Sequence, residues 1–555
     1  MKTPFRLKNI RKAAMLSTVA FLSLMTPVSG DMNIQNSFND IATSYARVQI
    51  NDLYSAGIVA GKSDHTYAPK DPVTRAEYVK ILGSLMGMSP VSASVSAFGD
   101  VDKLAWYYGW VQAELMTGLV YGTSATTFEP NRPITRQEAA VLLGRAISVT
   151  RHNANAPASS VSTDVLPFND RQDVKTWAVP YVKQVSDLKL MNGYMNTFRP
   201  DDLLTREEIA VIFDQLLNNR SILNQTTATA AASGSSTSAD STEIRLGWQY
   251  FESSEQFEKR VENSSFLDTL SPRWYFLEKD RSVSDYSDPS LVSWAHQRGK
   301  KVWALVGNHF DDVTTHTTLS DSGKRAALVN KLLGYAQKYQ LDGLNIDFEN
   351  MQPADRDSFT AFIGDLARAL HAQNKTLSVD VPPDLGTDWS QPYDFTQLAN
   401  GADYLILMGY GEHWESGAKA GSLSSLPWLQ KSISGLTDKI PARKLIVGLP
   451  FYTFDWHAEG GQLRTQELTM PQTMDTIQNH QAQLAWDDNV GQYVANYTDN
   501  GVAHTIWVED SRSISRKYQL VAKNNVAGTA FWYVGGESDD VWKGLDNLAL
   551  LQGNK

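Results

Sequence analysis

The spacing of hydrophobic and polar residues changes along the chain and divides it in two. In the first part, apolar residues recur at helical spacing within short segments separated by turns, which predicts a set of short helices. Beyond residue 243, short apolar runs typical of buried strands alternate with amphipathic segments, such as the one that carries Phe359, Phe362 and Leu366 on one face. The pattern therefore predicts a multidomain chain with an all-α N-terminal region and an α/β C-terminal domain.

The C-terminal domain contains eight predicted strands, the number that a closed (β/α)8 TIM barrel requires. After the seventh strand, three shorter β-like runs near 482–486, 492–497 and 504–507 predict a small antiparallel insertion that forms one wall of a cleft. The barrel strands are predicted at residues 244–248, 273–276, 302–306, 343–348, 377–381, 404–408, 445–449 and 529–532.

The fourth predicted strand carries polar residues on one face. Asn345, Asp347 and Glu349 are two positions apart and therefore point to the same side, while the residues between them are apolar. A solvated edge strand is the alternative, but two carboxylates on the inner face of a buried strand are costly unless they are paired, hydrogen-bonded or used. Since barrel enzymes gather catalytic groups at the C-terminal ends of strands, we predict that Glu349 and Asp347 are catalytic.

Aromatic residues lie at the ends of other predicted strands. Tyr410, Tyr452 and Trp532 are of this kind, and pyranose faces stack on such rings, so an acid among them predicts a sugar site. Asp380 and Glu412 are further candidates for substrate contacts. His309 and His413 are others, although a structural histidine is at least as common. The histidines are scattered, and no metal site is predicted.

Length and composition narrow the classes of function. At 555 residues the chain is too long for one hydrophobic core. Its 50 Lys and Arg against 61 Asp and Glu give a net charge of −11, which argues against a nucleic-acid partner. It contains no cysteine, so disulfides, thiol chemistry and cysteine metal sites are excluded.

The first thirty residues have the parts of a secretory signal peptide: a basic segment, the apolar run 13–25 and a small-residue exit that ends at Gly30. The run is short for a bilayer span, so a membrane anchor is the weaker alternative. No later stretch is long and apolar enough to span. We therefore expect a secreted chain, cleaved near Gly30, that is not a membrane protein.

Three copies of one pattern follow the signal segment. Each begins with Phe-X-Asp and continues through a helix, a Gly-containing turn and an aromatic-X-Pro segment to a second helix that opens with Thr-Arg-X-Glu. The Thr and Glu predict a capping box, whereas the Arg lies on the first turn and should be exposed. The copies begin at Phe38, Phe98 and Phe168, and the Thr-Arg-X-Glu segments begin at Thr74, Thr135 and Thr205.

The stretch 225–241 consists mostly of Thr, Ala, Ser and Gly and has no large apolar side chain that could join a core. It predicts a flexible linker between the repeats and the barrel. It marks the boundary between the all-α and the α/β parts. We therefore predict a signal peptide at 1–30, repeats at 31–90, 91–150 and 151–220, a linker at 221–243 and a barrel domain at 244–552.

The three copies resemble S-layer homology (SLH) domains over most of their length. In that family three repeats form an all-α pseudo-trimer whose grooves bind a secondary cell-wall polysaccharide through the motif Arg and the Asp near the repeat start. Charges that only solvate helix ends are the alternative for any one residue, but the threefold recurrence argues against it. The first copy lacks an aromatic residue that matches Trp106 and Trp177, so its groove is expected to bind poorly. The resemblance assigns wall-polymer binding to Asp40, Arg75, Asp100, Arg136, Asp170 and Arg206.

The segment from Asp342 to Glu349 resembles the DxxDxDxE signature of glycoside hydrolase family 18, and the similarity extends over roughly 244–551. Asn345 stands where the signature has Asp. The sequence at this position and in the segments 412–414, 448–452 and 507–510 is similar to that of the spore-cortex and cell-wall N-acetylglucosaminidases. The family needs no cofactor.

The resemblance implies substrate-assisted retaining catalysis. Glu349 would be the acid and base, and Asp347, held by Asn345, would orient the acetamido group of the substrate. Tyr410 would hydrogen-bond to the acetamido carbonyl, and Trp532 would form the floor of the sugar site. The family usually continues with Asp after this Tyr. Gly411 takes that position here, with Glu412 as a possible substitute.

These features predict a secreted glycoside hydrolase, anchored to the cell wall of a Gram-positive-type bacterium, that cleaves β-1,4 bonds after N-acetylglucosamine (GlcNAc) in peptidoglycan. The expected partners are a GlcNAc-containing polysaccharide and the wall polymer, with no cofactor and no nucleic acid. A chitinase is the nearest alternative. A catalytically silent carbohydrate-binding S-layer protein is another, although silent relatives typically lose the acid, which is present as Glu349.

Overall fold

The computed structural model describes residues 37–150, 162–224 and 243–553, apart from positions 251, 263, 385 and 416. The predicted signal peptide and most of the predicted linker lie outside the described residues. An all-α region precedes a closed barrel of parallel strands, so the multidomain TIM-barrel fold predicted from the sequence is confirmed. No helix in these described ranges is long and apolar enough to cross a membrane.

The N-terminal region contains two main helices per repeat, and the second begins directly after the Thr of Thr-Arg-X-Glu. In the first repeat the Thr74 hydroxyl accepts the Glu77 N–H at 3.2 Å, and the Glu77 carboxylate accepts the Thr74 N–H at 2.9 Å. This pattern, which recurs at Thr205, confirms the predicted capping box. The helices are α1 (Arg47–Ser55), α2 (Arg75–Leu85), α3 (Tyr108–Met116), α4 (Arg136–Thr150), α5 (Val179–Asp187), α6 (Arg206–Asn218) and α7 (Ser221–Asn224).

Helix α7 extends the repeat region into the predicted linker. Leu223 is 6% exposed and belongs to the hydrophobic core of the repeats, and Ile222 packs against that core. Two adjacent apolar residues are enough to dock this turn of helix. The predicted linker start at residue 221 is therefore too early, because the first four residues of the range 221–243 are helical.

Eight parallel strands close the barrel, since β1 pairs with β15 on one side and with β2 on the other. The second barrel strand is interrupted at Pro272, which lacks the N–H that a continuous ladder requires, and is divided into β2 and β3. Strand β4 adds a short antiparallel hairpin to β3. The strands are β1 (Ile244–Gln249), β2 (Thr269–Ser271), β3 (Arg273–Leu277), β4 (Val283–Asp285), β5 (Lys301–Gly307), β6 (Gly343–Asp347), β7 (Thr376–Val381), β8 (Tyr404–Met408), β9 (Leu445–Pro450) and β15 (Gly528–Val534).

Helices surround the barrel and bury one apolar face each. Phe359, Phe362 and Leu366 are fully buried between their helix and the strands, as the helical spacing predicts. The barrel helices are α8 (Ser254–Glu262), α9 (Pro289–Gln297), α10 (Asp312–Leu319), α11 (Ser322–Lys338), α12 (Arg356–His371), α13 (Phe395–Gly401), α14 (Leu426–Thr437), α16 (Ser511–Lys523) and α17 (Asp539–Leu551).

A five-stranded antiparallel sheet with one helix is inserted between β9 and β15. The three predicted runs correspond to three of its strands. The sequence prediction missed the other two, one of which is polar and largely exposed. Their turn is Gly460-Gly461, where both residues have positive φ, the signal of a tight hairpin. The elements are β10 (Tyr452–Glu459), β11 (Gln462–Thr469), α15 (Met470–Asn479), β12 (Gln483–Asp487), β13 (Gln492–Asp499) and β14 (Val502–Val508).

The repeats pack against the last helices of the barrel. The Ser89 N–H donates to Asn547 Oδ1 at 2.9 Å, and Asn547 Nδ2 donates back to the Ser89 carbonyl at 2.8 Å. Gln519 Nε2 donates to the Met116 carbonyl at 3.2 Å. Leu551 of α17 is 3% exposed and belongs to the hydrophobic core of the repeats. The two folded parts of the chain are therefore in direct contact.

Replacing Asn547 by Ala should lower the free energy of unfolding by about 1–2 kcal/mol, because both groups of the Ser89 backbone would lose their buried partner. Denaturant titration of the whole chain measures the change. Lys543→Ala, at an exposed position of the same helix, is the matched control and should change the stability little. Equal stability of the Asn547→Ala variant and wild type would contradict the packing described.

Candidate active site

The polar face of β6 lies inside the C-terminal end of the barrel. Asn345 is fully buried, and Asp347 and Glu349 are partly buried further along the same face. Phe348, between the two acids, is buried in the outer core, and its carbonyl accepts a hydrogen bond from the Tyr393 hydroxyl at 2.6 Å. Apolar packing on one side of the strand thus holds the two acids on the other.

The backbone of Glu349 is held by the side chain of Asn308, which follows β5. The Glu349 N–H donates to Asn308 Oδ1 at 3.0 Å, and Asn308 Nδ2 donates to the Glu349 carbonyl at 2.8 Å. Asn308 is 2% exposed and also donates to Thr315 Oγ1 at 3.0 Å. These bonds fix the backbone of Glu349, which lies two residues beyond the end of β6.

The side-chain amide of Asn345 makes four hydrogen bonds. Its Oδ1 accepts from Trp248 Nε1 at 2.8 Å and from Ser271 Oγ at 3.3 Å. Its Nδ2 donates to Ser378 Oγ at 3.1 Å and to Asp380 Oδ1 at 2.8 Å. Since an indole N–H can only donate, the amide oxygen must face Trp248 and the amide nitrogen must face Asp380.

Burial raises the pKa of both acids. Burial, and next the charge of Asp347, raise the pKa of Glu349 well above its ordinary value, while Arg273 opposes the shift. Burial raises the pKa of Asp347 to about 6, again against Arg273. A raised pKa favours the protonated form of a carboxyl group, which can donate its proton. Glu349 therefore has the properties of a general acid.

Aromatic rings surround the acids. Trp532 on β15 lies edge to face with Trp248, at 5.9 Å between ring centroids, and with Tyr250 at 5.3 Å. The guanidinium group of Arg273 lies 5.8 Å from the Trp532 ring. The rings form an apolar wall with a cation beside it, which is the composition of a carbohydrate site.

Tyr410 and Tyr452 are two further rings of this wall, and they lie edge to face at 6.3 Å. Burial is the largest cause that raises the pKa of both hydroxyl groups, so both remain protonated donors. A Cβ at Gly448 would lie 3.4 Å from both Tyr410 and Trp248, so Gly448 allows the two rings to approach. Gly411 has φ +91°, a conformation that disfavours the Asp usual in the family.

The other residues predicted to contact the substrate make hydrogen bonds within the chain. Asp380 is 3% exposed and accepts a hydrogen bond from Asn345 inside the barrel. Glu412 accepts the Ser425 N–H at 2.7 Å and so holds the loop before α14. The ring of His413 lies 2.8 Å from the Ser422 carbonyl, a structural contact.

His309 lies at the rim, stacked on Phe276 at 4.5 Å and 3.3 Å from Glu278. Within the described ranges no group of three or more His, Asp or Glu is arranged to hold a metal ion.

Sequence reasoning missed Asn308, Arg273 and Trp248. Asn308 and Trp248 lie at the ends of β5 and β1, so the rule that identified Tyr410 would have found them. Arg273 begins β3 next to Pro272, and only the fold shows that its charge acts on the two acids.

The motif arginines of the repeats are buried, so the prediction that they are exposed is wrong. In each case the guanidinium group donates to two backbone carbonyls of the next repeat and stacks on an aromatic ring there. For Arg206 the acceptors are the carbonyls of Tyr67 and Ala60, both at 2.7 Å, and the Tyr67 ring lies at 4.3 Å. Arg75, Arg136 and Arg206 are each 5% exposed. They join the three repeats into a ring.

The motif aspartates have a structural role as well. Asp100 accepts the N–H groups of Phe128 at 2.9 Å and Glu129 at 2.7 Å, and Asp40 and Asp170 make the equivalent pairs of bonds. The middle residue of each aromatic-X-Pro segment has positive φ, a conformation that costs free energy and that these bonds stabilise. These residues are Ala68 (58°), Glu129 (59°) and Arg199 (58°).

Each repeat presents one exposed aromatic side chain two residues before its first helix. Tyr45 is 63% exposed, Trp106 61% and Trp177 53%. The prediction that the first repeat lacks this aromatic is therefore wrong. The loop between Phe-X-Asp and the helix differs in length among the copies, which obscures the match in the sequence.

Comparison with known families matches residues 264–537 to glycosyl hydrolases family 18. Residues 37–79, 97–140 and 167–210 match the S-layer homology domain. The chain is 27% identical over 292 residues to the uncharacterized glycosylase YvbX of Bacillus subtilis, which covers 51% of this chain and 84% of that protein. It is 23% identical over 301 residues to the cortical fragment-lytic enzyme of Bacillus cereus, with 52% and 69% covered.

A solved chitinase from Chromobacterium violaceum resembles the barrel with a TM-score of 0.51 at 25% identity, covering 55% of this chain and 98% of that one. The family matches fall on the two parts that the structure separates, with β6 inside the larger match. The chain therefore contains a glycoside hydrolase family 18 domain and three S-layer homology domains, which associate it with the cell surface.

Proposed function

We propose that the barrel hydrolyses β-1,4 bonds after GlcNAc in peptidoglycan, with the acetamido group of the substrate as the nucleophile. The observation that supports this most directly is Glu349, a carboxyl group with a raised pKa beside Asp347. The rings of Trp532 and Tyr410 suit a pyranose and its acetamido group. The proposed location is the wall of a Gram-positive-type bacterium.

In the first step the carbonyl oxygen of the 2-acetamido group attacks C1 of the sugar, while Glu349 donates its proton to the glycosidic oxygen. The bond between C1 and that oxygen breaks, the leaving sugar departs as an alcohol, and an oxazolinium ion forms. Water then attacks C1 and gives a proton to the ionised Glu349. This attack opens the oxazolinium ring and restores the acetamido group. Two inversions at C1 retain the configuration.

Asp347 and Tyr410 act on the acetamido group in this proposal. Asp347 accepts the hydrogen bond of the acetamido N–H through one carboxyl oxygen and so orients the group for attack on C1. The Tyr410 hydroxyl, protonated because its pKa is raised, donates to the acetamido carbonyl. Trp532 supplies the apolar floor. Because Glu349 must be protonated at the start, activity should be lost as the pH rises through its pKa.

Digestion of purified sacculi, with mass spectrometry of the products, tests the substrate. Products with reducing GlcNAc, released by the wild type but not by Glu349→Gln, are expected. Activity confined to chitin oligomers would favour a chitinase, the activity of the Chromobacterium violaceum relative. If neither substrate yields reducing sugar and Glu349→Gln binds sugar like the wild type, the barrel is a silent lectin.

We propose further that the three repeats bind a secondary wall polymer. The exposed aromatic of each repeat supports this, since an exposed ring recurs at the equivalent position of all three repeats, where a ligand can reach it. The motif residues Asp40, Arg75, Asp100, Arg136, Asp170 and Arg206 would contribute charge, although the hydrogen bonds they already make give each a role in folding.

Trp177→Ala should weaken binding of the whole chain to purified wall fragments about tenfold or more, if this ring is a contact at the centre of the site. Sedimentation with wall fragments measures the bound fraction. Tyr286→Ala removes an aromatic of similar exposure, 64%, from the barrel and should leave wall binding unchanged. Equal binding by the Trp177→Ala variant and the wild type would count against this ring as a contact.

A further inference from the structure

Asp380 lies beside the catalytic pair on the neighbouring strand. Strands β6 and β7 are parallel, and Asn345 is directly opposite Ser378. Both side chains point into the barrel, where they are joined by a 3.1 Å hydrogen bond. Two residues further along each strand, the same register and the same face bring Asp347 opposite Asp380. Adjacent strands are roughly 4.8 Å apart, so the two carboxyl groups are neighbours.

The amide of Asn345 supports Asp380 but cannot exchange a proton with either acid. Its orientation is fixed, because the Trp248 indole N–H must meet the amide oxygen. The amide nitrogen therefore donates to Asp380 Oδ1, at 2.8 Å. One oxygen of Asp380 is thus occupied as an acceptor, and the other is the one that can carry a proton.

The surroundings of Asp380 disfavour a negative charge. It is 3% exposed, and the charged groups that act on it, Asp347 and Glu349, are both acids. Tyr393 and Tyr410, the other titratable groups near it, are hydroxyls kept neutral by burial. Burial, and next Asp347, raise the pKa of Asp380 well above its ordinary value, against the hydrogen bond from Asn345. Two adjacent buried carboxyl groups retain one proton between them.

We propose that Asp380 is a positioning residue that shares this proton with Asp347, so that the acid missing from position 345 of the signature is supplied from the next strand. When Glu349 gives its proton to the leaving group, the shared proton moves onto Asp347 and removes one of two adjacent negative charges. It returns to Asp380 when water reprotonates Glu349, so no proton is gained or lost by the pair. This inference rests on the proposed function, because it concerns the same reaction.

The test moves the acid between the two strands. Asp380→Asn removes the shared proton but keeps the size of the side chain, and the double variant Asn345→Asp with Asp380→Asn returns an acid to the signature position. Ser378→Ala is the matched control, because it removes a hydrogen bond from the same amide without changing a titratable group. For each, kcat and KM on a fluorogenic GlcNAc oligosaccharide are measured across a pH series.

In the wild type the proton shared by Asp347 and Asp380 should be retained at pH values well above the ordinary pKa range of Asp. In Asp380→Asn it can reside only on Asp347, whose pKa is about 6 in the wild type and falls when the neighbouring acid is replaced by a neutral amide. The alkaline limb of kcat should therefore move down to about pH 6 or below, with kcat about tenfold lower one pH unit above the new limb and KM little changed. The double variant should restore the wild-type limb, and Ser378→Ala should not move it.

Superimposable kcat profiles for the wild type and Asp380→Asn would overturn the inference, as would a double variant that keeps the limb of the single one. Failure of the proposed function is distinguishable, since it would show as a wild type inactive on every GlcNAc polymer. In that case carboxyl-carbon NMR of Asp-labelled protein decides. A resonance that stays protonated at neutral pH and is lost in Asp380→Asn supports the inference, and an ordinary Asp titration overturns it.

Discussion

Replacing Glu349 by Gln should lower kcat by about 10²- to 10⁴-fold while KM stays near the wild-type value. Gln has the shape of Glu but no proton to give, and the acid acts on the leaving oxygen only as the bond breaks. An interaction made only in the transition state changes kcat and leaves binding of the substrate intact. Steady-state kinetics on a fluorogenic GlcNAc oligosaccharide measure both constants.

Glu255→Gln is the control for this substitution. Glu255 lies on α8 with 77% of its side chain exposed, so the same chemical change there should leave kcat unaltered. A Glu349→Gln variant that keeps more than a tenth of the wild-type kcat would show that another group protonates the leaving oxygen. A variant with unchanged kcat and a raised KM would make Glu349 a binding residue only.

Replacing Arg206 by Ala should destabilise the repeat region by about 2–4 kcal/mol, because the buried carbonyls of Tyr67 and Ala60 would each lose a charged donor. The stacking of the guanidinium group on the Tyr67 ring would be lost with them. Arg206 closes the ring from the third repeat to the first, so the loss should affect the whole region. Denaturant unfolding followed by circular dichroism measures it.

Arg220→Ala, at an exposed position shortly after the same helix, is the matched control and should change the stability little. The comparison also separates folding from wall binding. A variant Arg206→Ala that is as stable as the wild type but fails to bind wall fragments would make this Arg a polymer contact whose hydrogen bonds contribute little to the fold. Loss of both properties together fits the buried position.

The sequence predicts those helices and strands whose side chains are buried on one face or on both. The barrel strands are short apolar runs, and α12 has an unbroken apolar stripe, so periodicity was sufficient to predict them. Strand β11 is different, because all its residues but Leu468 are exposed or half-buried and it includes no apolar run. Its existence depends on pairing with β10, which is a tertiary contact.

The active site could be predicted only in part, for a similar reason. The spacing of Asn345, Asp347 and Glu349 along one strand is visible in the sequence. The neighbour of Asp347 across the sheet is not, since Asp380 is brought to it by the register of β6 and β7. The motif arginines show a second limit. A position on the first turn of a helix predicts an exposed side chain only if no other part of the chain covers it, and here the next repeat covers each Arg.

The place of Leu551 in the core of the repeats has a consequence for how the chain folds during synthesis. The three repeats leave the ribosome first, whereas α17, which supplies this leucine, is made after the rest of the barrel. At roughly 5–20 residues per second the interval is tens of seconds. During that time an apolar surface of the repeats is uncovered, and it is closed only when the barrel has folded and docked. Completion of the wall-binding region is thus coupled to completion of the enzyme.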